Sequence, residues 1–167
     1  MRKGIAEFYR VSEQQFIYDF GKEYNYWPLE EVRRAYEKIK PPKRATVGSA
    51  GYDFFSPLDF NLVSGETIKI PTGIRVDIDE DWFLAIVPRS GLGFGYRLQL
   101  DNTIGIIDSD YYYSDNEGHI WIKLTNDSKQ DKPLKVSAGE GIAQGIFLPY
   151  GITRSDHANG VRNGGFG

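Results

Sequence analysis

The sequence predicts a mainly β fold, a barrel or sandwich of many short strands, with a short helical insert near the N-terminus. Three observations point there. From about Ala45 onward apolar residues recur with a period of two, as half-buried strands require. Turn-forming stretches, "VSGE" at 63–66, "DIDED" at 77–81 and "VSAGE" at 136–140, punctuate that pattern at short intervals. Residues 12–40 break it, carrying helical spacing and capping residues instead.

Taken in order, residues 4–11 can form a short strand. Ser12 then suits a helix N-cap, with Gln15 three residues on as in a capping box. Phe16 and Phe20 stand one turn apart, and Gly21 can end that helix in the left-handed conformation. A second helix starts at Pro28, with Glu30 and Glu31 at its positive end. Leu29, Val32, Tyr36 and Ile39 give it one apolar face, and Pro41-Pro42 stops it. Strands follow at Ile68/Ile70, at Ile74/Val76/Ile78, over Trp82 to Val87, at Ile120/Ile122/Leu124 and over Ile142 to Leu148. The two "VS…GE" stretches read as similar turns rather than as a repeat. Residues 159–167, "NGVRNGGFG", hold no core-like run and read as a mobile tail.

The chain of 167 residues reads as one domain, large enough to bury a core without staples. It has no cysteine, which excludes disulfides and thiolate metal sites and fits a reducing, cytoplasmic setting. The first ten residues lack the apolar run of a signal peptide, and the longest apolar run, Trp82 to Val87, is far shorter than a membrane span. Net charge is −3, from 20 basic and 23 acidic residues, which argues against a protein that coats nucleic acid. The only histidines, His119 and His157, read as surface residues, so transition-metal catalysis is not expected. Neither G-x-S-x-G nor a Walker phosphate loop occurs.

Two stretches remain that could carry chemistry. Arg89-Ser90-Gly91 offers a guanidinium, a hydroxyl and backbone N–H groups to an anion, the more so if Ser90 caps a short helix; it reads equally as a type II turn between strands. Gly105-Ile106-Ile107-Asp108 is a hydrophobic strand ending in a carboxylate that could activate a water or cap a hairpin. Asn102, just before it, carries both a donor and an acceptor and can pair with a pyrimidine edge, or form a turn.

Five stretches, in order, resemble the five motifs of the trimeric dUTP diphosphatase (dUTPase) family: "SAGYDFF" at 49–55, "PRSGLG" at 88–93, "NTIGIIDSDY" at 102–111, "GEGIAQGIF" at 139–147 and "RNGGFG" at 162–167. The resemblance covers residues 45–167. It implies a jelly-roll or β-clip barrel, a homotrimer with active sites shared between subunits, and hydrolysis of dUTP to dUMP and pyrophosphate with Mg²⁺ on the triphosphate. By the same resemblance Asp108 is the base for the attacking water. Asn102 and the backbone at Gly105 and Ile107 read uracil, and Tyr111 lies against the deoxyribose. Arg89, Ser90, Gly91 and Gln144 hold phosphates, and Asp53 supports the metal's outer shell. Phe166 covers the base from another subunit's tail, with Arg162 near the phosphates.

The chain departs from the family pattern in three places. Residues 12–40 insert helices, "YYSDN" at 112–116 lengthens the hairpin after Tyr111, and Arg162 precedes Phe166 by four residues rather than five. One rival is dCTP deaminase, which shares the fold and uses a glutamate on the strand after the third motif. Here Lys123 stands at that position and has no carboxylate to shuttle protons. A non-catalytic regulatory protein on the same scaffold is the other rival.

Overall fold

The structure, a computed structural model, describes residues 3–166. Met1 and Arg2, the start of the N-terminal stretch, and Gly167, the last residue of the fifth motif, lie outside the described residues. Eleven strands, three helices and one 3₁₀ turn follow in order among the described residues. The first are β1 (Ala6–Arg10), α1 (Glu13–Glu23), α2 (Leu29–Glu37), β2 (Tyr52–Phe55), β3 (Phe60–Leu62), β4 (Thr67–Pro71), β5 (Ile74–Ile78) and β6 (Trp82–Val87). Then come α3 (Ser90–Tyr96), β7 (Leu98–Leu100), β8 (Gly105–Asp108), the 3₁₀ turn (Ser109–Tyr113), β9 (Trp121–Asn126), β10 (Leu134–Val136) and β11 (Gly141–Pro149).

The strands form two larger antiparallel sheets, ordered β2-β11-β6-β8 and β4-β9-β7, and two pairs, β1-β5 and β3-β10. The architecture is mainly β with short N-terminal helices, as expected. Phe54, Leu84, Ile86, Ile107 and Ile142 from the first sheet and Ile70, Leu98, Ile122 and Leu124 from the second are buried in one apolar cluster. Each such side chain contributes roughly 1.5–3 kcal/mol by leaving water. The two similar turns also hold. In each, a carboxylate (Glu66, Glu140) accepts from a backbone N–H three residues back (Val63, Ser137), and a glycine (Gly65, Gly139) sits at positive φ.

The helical insert packs on the chain's own strands. Phe16 and Phe20 of α1, Val32 and Ala35 of α2, and Ile39 just beyond are all buried in the main cluster. The Tyr24 hydroxyl donates to the Lys69 carbonyl at 2.7 Å, and the Tyr36 hydroxyl to that of Val11 at 2.7 Å. Gly73, at φ 73, lets Ile39 in: a Cβ there would lie 2.2 Å from Ile39 Cδ1.

The details of the helices differ from expectation. Ser12 Oγ accepts from the Gln15 N–H, but the reciprocal half of the box is missing, because the Gln15 side chain turns to Asp19. Glu117, far along the chain, accepts from the Ser12 N–H instead. Gly21 does not end α1, which runs to Glu23 with Tyr24 as its cap, because the Tyr24 N–H still reaches the Phe20 carbonyl. Pro28 is the cap of α2 rather than its first residue. The face of α2 turns by one position, so Ala35 is buried and Leu29 is half exposed. His119 is not a surface residue: it is wholly buried, made tolerable by partners on both ring nitrogens. Among the described residues no helix is long and apolar enough to cross a membrane.

Candidate active site

The sequence-predicted residues gather in two groups. The first lies where β6, β11 and β2 meet, with Gln144 of β11 opposite both Val87 and Asp53. Arg89 leaves the end of β6 in an extended conformation and caps α3, of which Ser90 is the first residue; the short helix, not the type II turn, is what forms. Arg89 Nε lies 3.0 Å from Asp53 Oδ1, and its Nη1 donates to the Gly141 carbonyl at 2.9 Å. The Gln144 side chain donates to the Pro88 carbonyl at 3.0 Å. Two glycines make the room: a Cβ at Gly141 would lie 2.7 Å from Arg89 Nη1, and one at Gly51 would lie 2.1 Å from Gln144 Oε1. Gly91 has open space beside it, leaving the turn accessible. The outcome is a fixed guanidinium with a hydroxyl and an amide beside it, a set suited to phosphate oxygens.

The second group lies along β8. This strand is the edge of its sheet, bonded only to β6, so half of its backbone N–H and C=O groups point away from the sheet. Asn102 sits in the turn that leads into it. There the Ile104 N–H donates to the Asn102 carbonyl at 2.7 Å around Thr103, at φ 65, a strained conformation for a β-branched residue. Gly105 is buried against β6, where a Cβ would lie 3.0 Å from Ile86 Cβ. Ile107 points into the core, and Asp108 closes the strand with its side chain 42% exposed.

Tyr111 follows in the 3₁₀ turn, its ring buried and its hydroxyl donating to the His119 carbonyl at 2.7 Å. Burial pushes its phenol pKa up to about 12, so it is a neutral donor. The tail returns across this group. Arg162 Nη2 pairs with Asp108 Oδ2, and its Nε lies 2.7 Å from Asp110 Oδ1. The hydrogen bond to Asp110, countered in part by burial and reinforced by the Asp108 charge, raises the guanidinium pKa. Phe166 meets the Tyr111 ring edge-on at 5.6 Å.

Two cavities flank this edge. One of about 220 Å³ is lined by Asn102, Ile107, Asp108, Tyr111, Arg162 and Phe166. The other, about 200 Å³, shares Asn102 and Phe166 with it and adds Gly105, Trp121, Lys123 and Lys69. Trp121 and Lys69 escaped the sequence reading as site residues. The period of β9 puts Trp121, Lys123 and Thr125 on one face, opposite buried Ile122 and Leu124, and that alternation was the available signal. Lys69 stands across from Lys123; the latter is neutralised by Asp101 at 3.1 Å, and the former lies over the Trp121 ring at 4.7 Å.

The two groups do not form one site within a chain. Asp108 stands opposite Phe83, and Arg89 lies six residues further along, about 20 Å at 3.3 Å per extended residue. Among the described residues no group of three or more His, Asp or Glu side chains could cage a metal ion, and Asp53 is already engaged by Arg89.

A family model described as dUTPase matches residues 37–166. Deoxyuridine 5'-triphosphate nucleotidohydrolase from Actinobacillus succinogenes is 40% identical over 134 residues, 75% of this chain and 84% of that protein. The enzyme of the same name from Lactococcus lactis is 36% identical over 132 residues, 77% of this chain and 87% of that one. Among solved structures, dUTPase from Streptococcus mutans superposes with a TM-score of 0.64 at 27% identity, covering 89% of this chain and 98% of that one. A dUTPase variant from Staphylococcus aureus phage phi11, described with a structural Mg(II) ion, gives a TM-score of 0.60 at 21% identity over 74% of this chain and 92% of that one.

Proposed function

The chain belongs to the dUTPase family and is a dUTP diphosphatase, and from that premise we propose how its residues divide the work. The reaction joins a water oxygen to the α-phosphorus of dUTP and breaks the bond to the β-phosphate bridge, giving dUMP and pyrophosphate. The base lies against the free edge of β8 at Asn102, Gly105 and Ile107, where backbone N–H and C=O groups complement the acceptor–donor–acceptor edge of uracil. The sugar lies on Tyr111, where a 2′-hydroxyl would clash. Asp108 then stands at the α-phosphate and takes the proton of the attacking water. The tail of another subunit places Phe166 over the base and Arg162 at the phosphates, in place of the Arg162–Asp108 pairing.

The observation that carries this reading is the order along β8: pyrimidine-reading groups at its start, a carboxylate at its end, Tyr111 one turn beyond. It also supports shared sites. A nucleotide laid along β8 directs its triphosphate away from the same chain's Arg89, so Arg89, Ser90, Gly91 and Gln144 must come from a second copy. We read the assembly as a homotrimer of this one-domain chain. Mg²⁺ would be held by triphosphate oxygens and water, with Asp53 behind Arg89 in the outer shell; when bound it neutralises charge on the phosphates. The cysteine-free composition fits a cytoplasmic enzyme.

Offering dUTP and dCTP separately, and measuring pyrophosphate and ammonia, tests the assignment. Pyrophosphate from dUTP without ammonia from dCTP is the expected result. Ammonia from dCTP would instead require a deaminating site.

A further inference from the structure

The helical insert is bonded to Glu117 and His119, just beyond the 112–116 extension, and Asn116 of that extension and the His119 carbonyl converge on Tyr111. Ser12, at the start of α1, donates from its N–H and its hydroxyl to the two carboxylate oxygens of Glu117 at 2.7 and 2.6 Å. Asp19, one helical stretch later, accepts from Gln15 Nε2 at 2.8 Å and lies 2.7 Å from His119 Nδ1. The other ring nitrogen of His119, Nε2, accepts from the Gly73 N–H at 2.8 Å. That bond fixes the tautomer: the ring proton is on Nδ1 and faces the Asp19 carboxylate. Asp19 and His119 are both buried.

The Tyr111 hydroxyl is held from two sides by this assembly. It donates to the main-chain carbonyl of His119 and accepts from Asn116 Nδ2, each at 2.7 Å. Glu117 and Gly118 are both left-handed, at φ 59 and 69, and fold the extension back onto Tyr111. A Cβ at Gly118 would lie 2.7 Å from the Tyr111 carbonyl oxygen. The opposite side of the ring faces the cavity, where Gly165 and Phe166 lie against it.

We propose that α1 positions Tyr111 through His119 and the extension, so that Asp19, His119 and Asn116 are positioning residues for the choice of deoxyribose over ribose. The proposal rests on the assignment of Tyr111 to the sugar. A side chain that rejects a substrate by contact must not yield when pressed, since a ring that swings aside accommodates the extra hydroxyl. Tyr111 cannot swing without breaking both of its hydroxyl bonds. Both bonds end on a loop whose far side is fastened to α1. The insert supplies rigidity at the one place where the reaction needs a hard wall.

The test compares kcat/KM for dUTP and UTP in full-length Asp19→Ala, Asn116→Ala, Tyr111→Phe and Asp19→Ala/Tyr111→Phe proteins. Asp19→Ala and Asn116→Ala should each lower the dUTP:UTP ratio by about tenfold, one hydrogen bond's worth, chiefly by improving UTP. Turnover of dUTP by these two should stay within about threefold of the parent, because neither residue touches the reacting groups. In the Tyr111→Phe background, Asp19→Ala should leave the ratio where Tyr111→Phe put it, because the link through the hydroxyl is already cut. A purely structural staple would lower thermal stability and slow both substrates alike with the ratio intact, and that result overturns the proposal. So does a fall in ratio that persists undiminished without the hydroxyl. Should Asp19→Ala not fold, Asn116→Ala, at a partly exposed position, decides by the same criteria. Tyr111→Ala separates the two levels. If it leaves the ratio unchanged, the sugar assignment falls and the positioning role with it. If it collapses the ratio while Asp19→Ala and Asn116→Ala do not, only the positioning role falls.

Discussion

Deleting residues 159–167 removes the segment that crosses Asp108 and Tyr111, and its effects on stability and on turnover should separate. The tail is held by Arg162 on two carboxylates and by Phe166 on Tyr111. Arg162 is 35% exposed and its partners 42% and 57%, so solvent screens both pairs and each is worth roughly 0.2–1 kcal/mol. The edge-on ring contact adds about 0.5–1.5 kcal/mol. Ordering the segment costs conformational entropy that offsets those contacts. The truncated protein should therefore melt within about 4 °C of the parent, the shift expected of no more than ~1 kcal/mol in a chain of this length. Catalysis is another matter. A guanidinium on phosphate is worth about 1.5–3 kcal/mol, so kcat/KM for dUTP should fall by roughly 10- to 150-fold. Differential scanning calorimetry and pyrophosphate release on the same preparations measure both. A large drop in melting temperature with little loss of activity would mean that the tail is a structural strap and that Arg162 belongs on the carboxylates.

Other perturbations have equally definite outcomes. Asp108→Asn should keep fold and nucleotide binding while cutting turnover by about 10²–10⁴-fold; hydrolysis near the parental rate would remove Asp108 as the base. Mixing that variant with Arg89→Ala under conditions where subunits exchange should restore part of the activity, because some hybrid sites pair an intact Asp108 with an intact Arg89; demonstrated exchange without recovery would place both residues in one chain's site. Gly145→Ala should destabilise by about 1–3 kcal/mol in chemical denaturation, because the added methyl meets Leu84 Cδ1 at 2.8 Å and Phe54 Cε2 at 3.0 Å in a filled core. Burial works to raise the Asp19 carboxyl, but hydrogen bonds from His119 and Gln15 outweigh it and hold the pKa below the ordinary 3.8. The stability this gives is present above that value and lost as pH falls through the lower folded one, so the melting-temperature gap between the parent and Asp19→Asn should narrow in that acid range; a gap that stays constant there would contradict it.

Which parts of this arrangement were legible depended on whether the cause was local. β8 was readable because an apolar run ending in Asp108 is a local pattern, and the helical insert because Phe16 and Phe20 repeat at one turn. β2, β3, β7 and β10 have only three or four residues, too few to show a period, and tertiary pairing alone defines them. The short helix α3 forms from "SGLGFGY", whose three glycines oppose it, between Arg89 in an extended cap and Arg97 in the left-handed region. His119 was misplaced because what makes it tolerable in the core is Asp19, a hundred residues earlier. No window along the chain contains both. The site was subject to the same limit. By the resemblance, residues 88–93 hold phosphates and residues 102–111 the nucleoside, two motifs close together along the chain. In the fold α3 and β7 intervene, and β8 runs antiparallel to β6, so Asp108 ends up far from Arg89. The reversal of one strand is enough to separate Asp108 from Arg89 within a chain, which fits the sites shared between subunits that the resemblance implies.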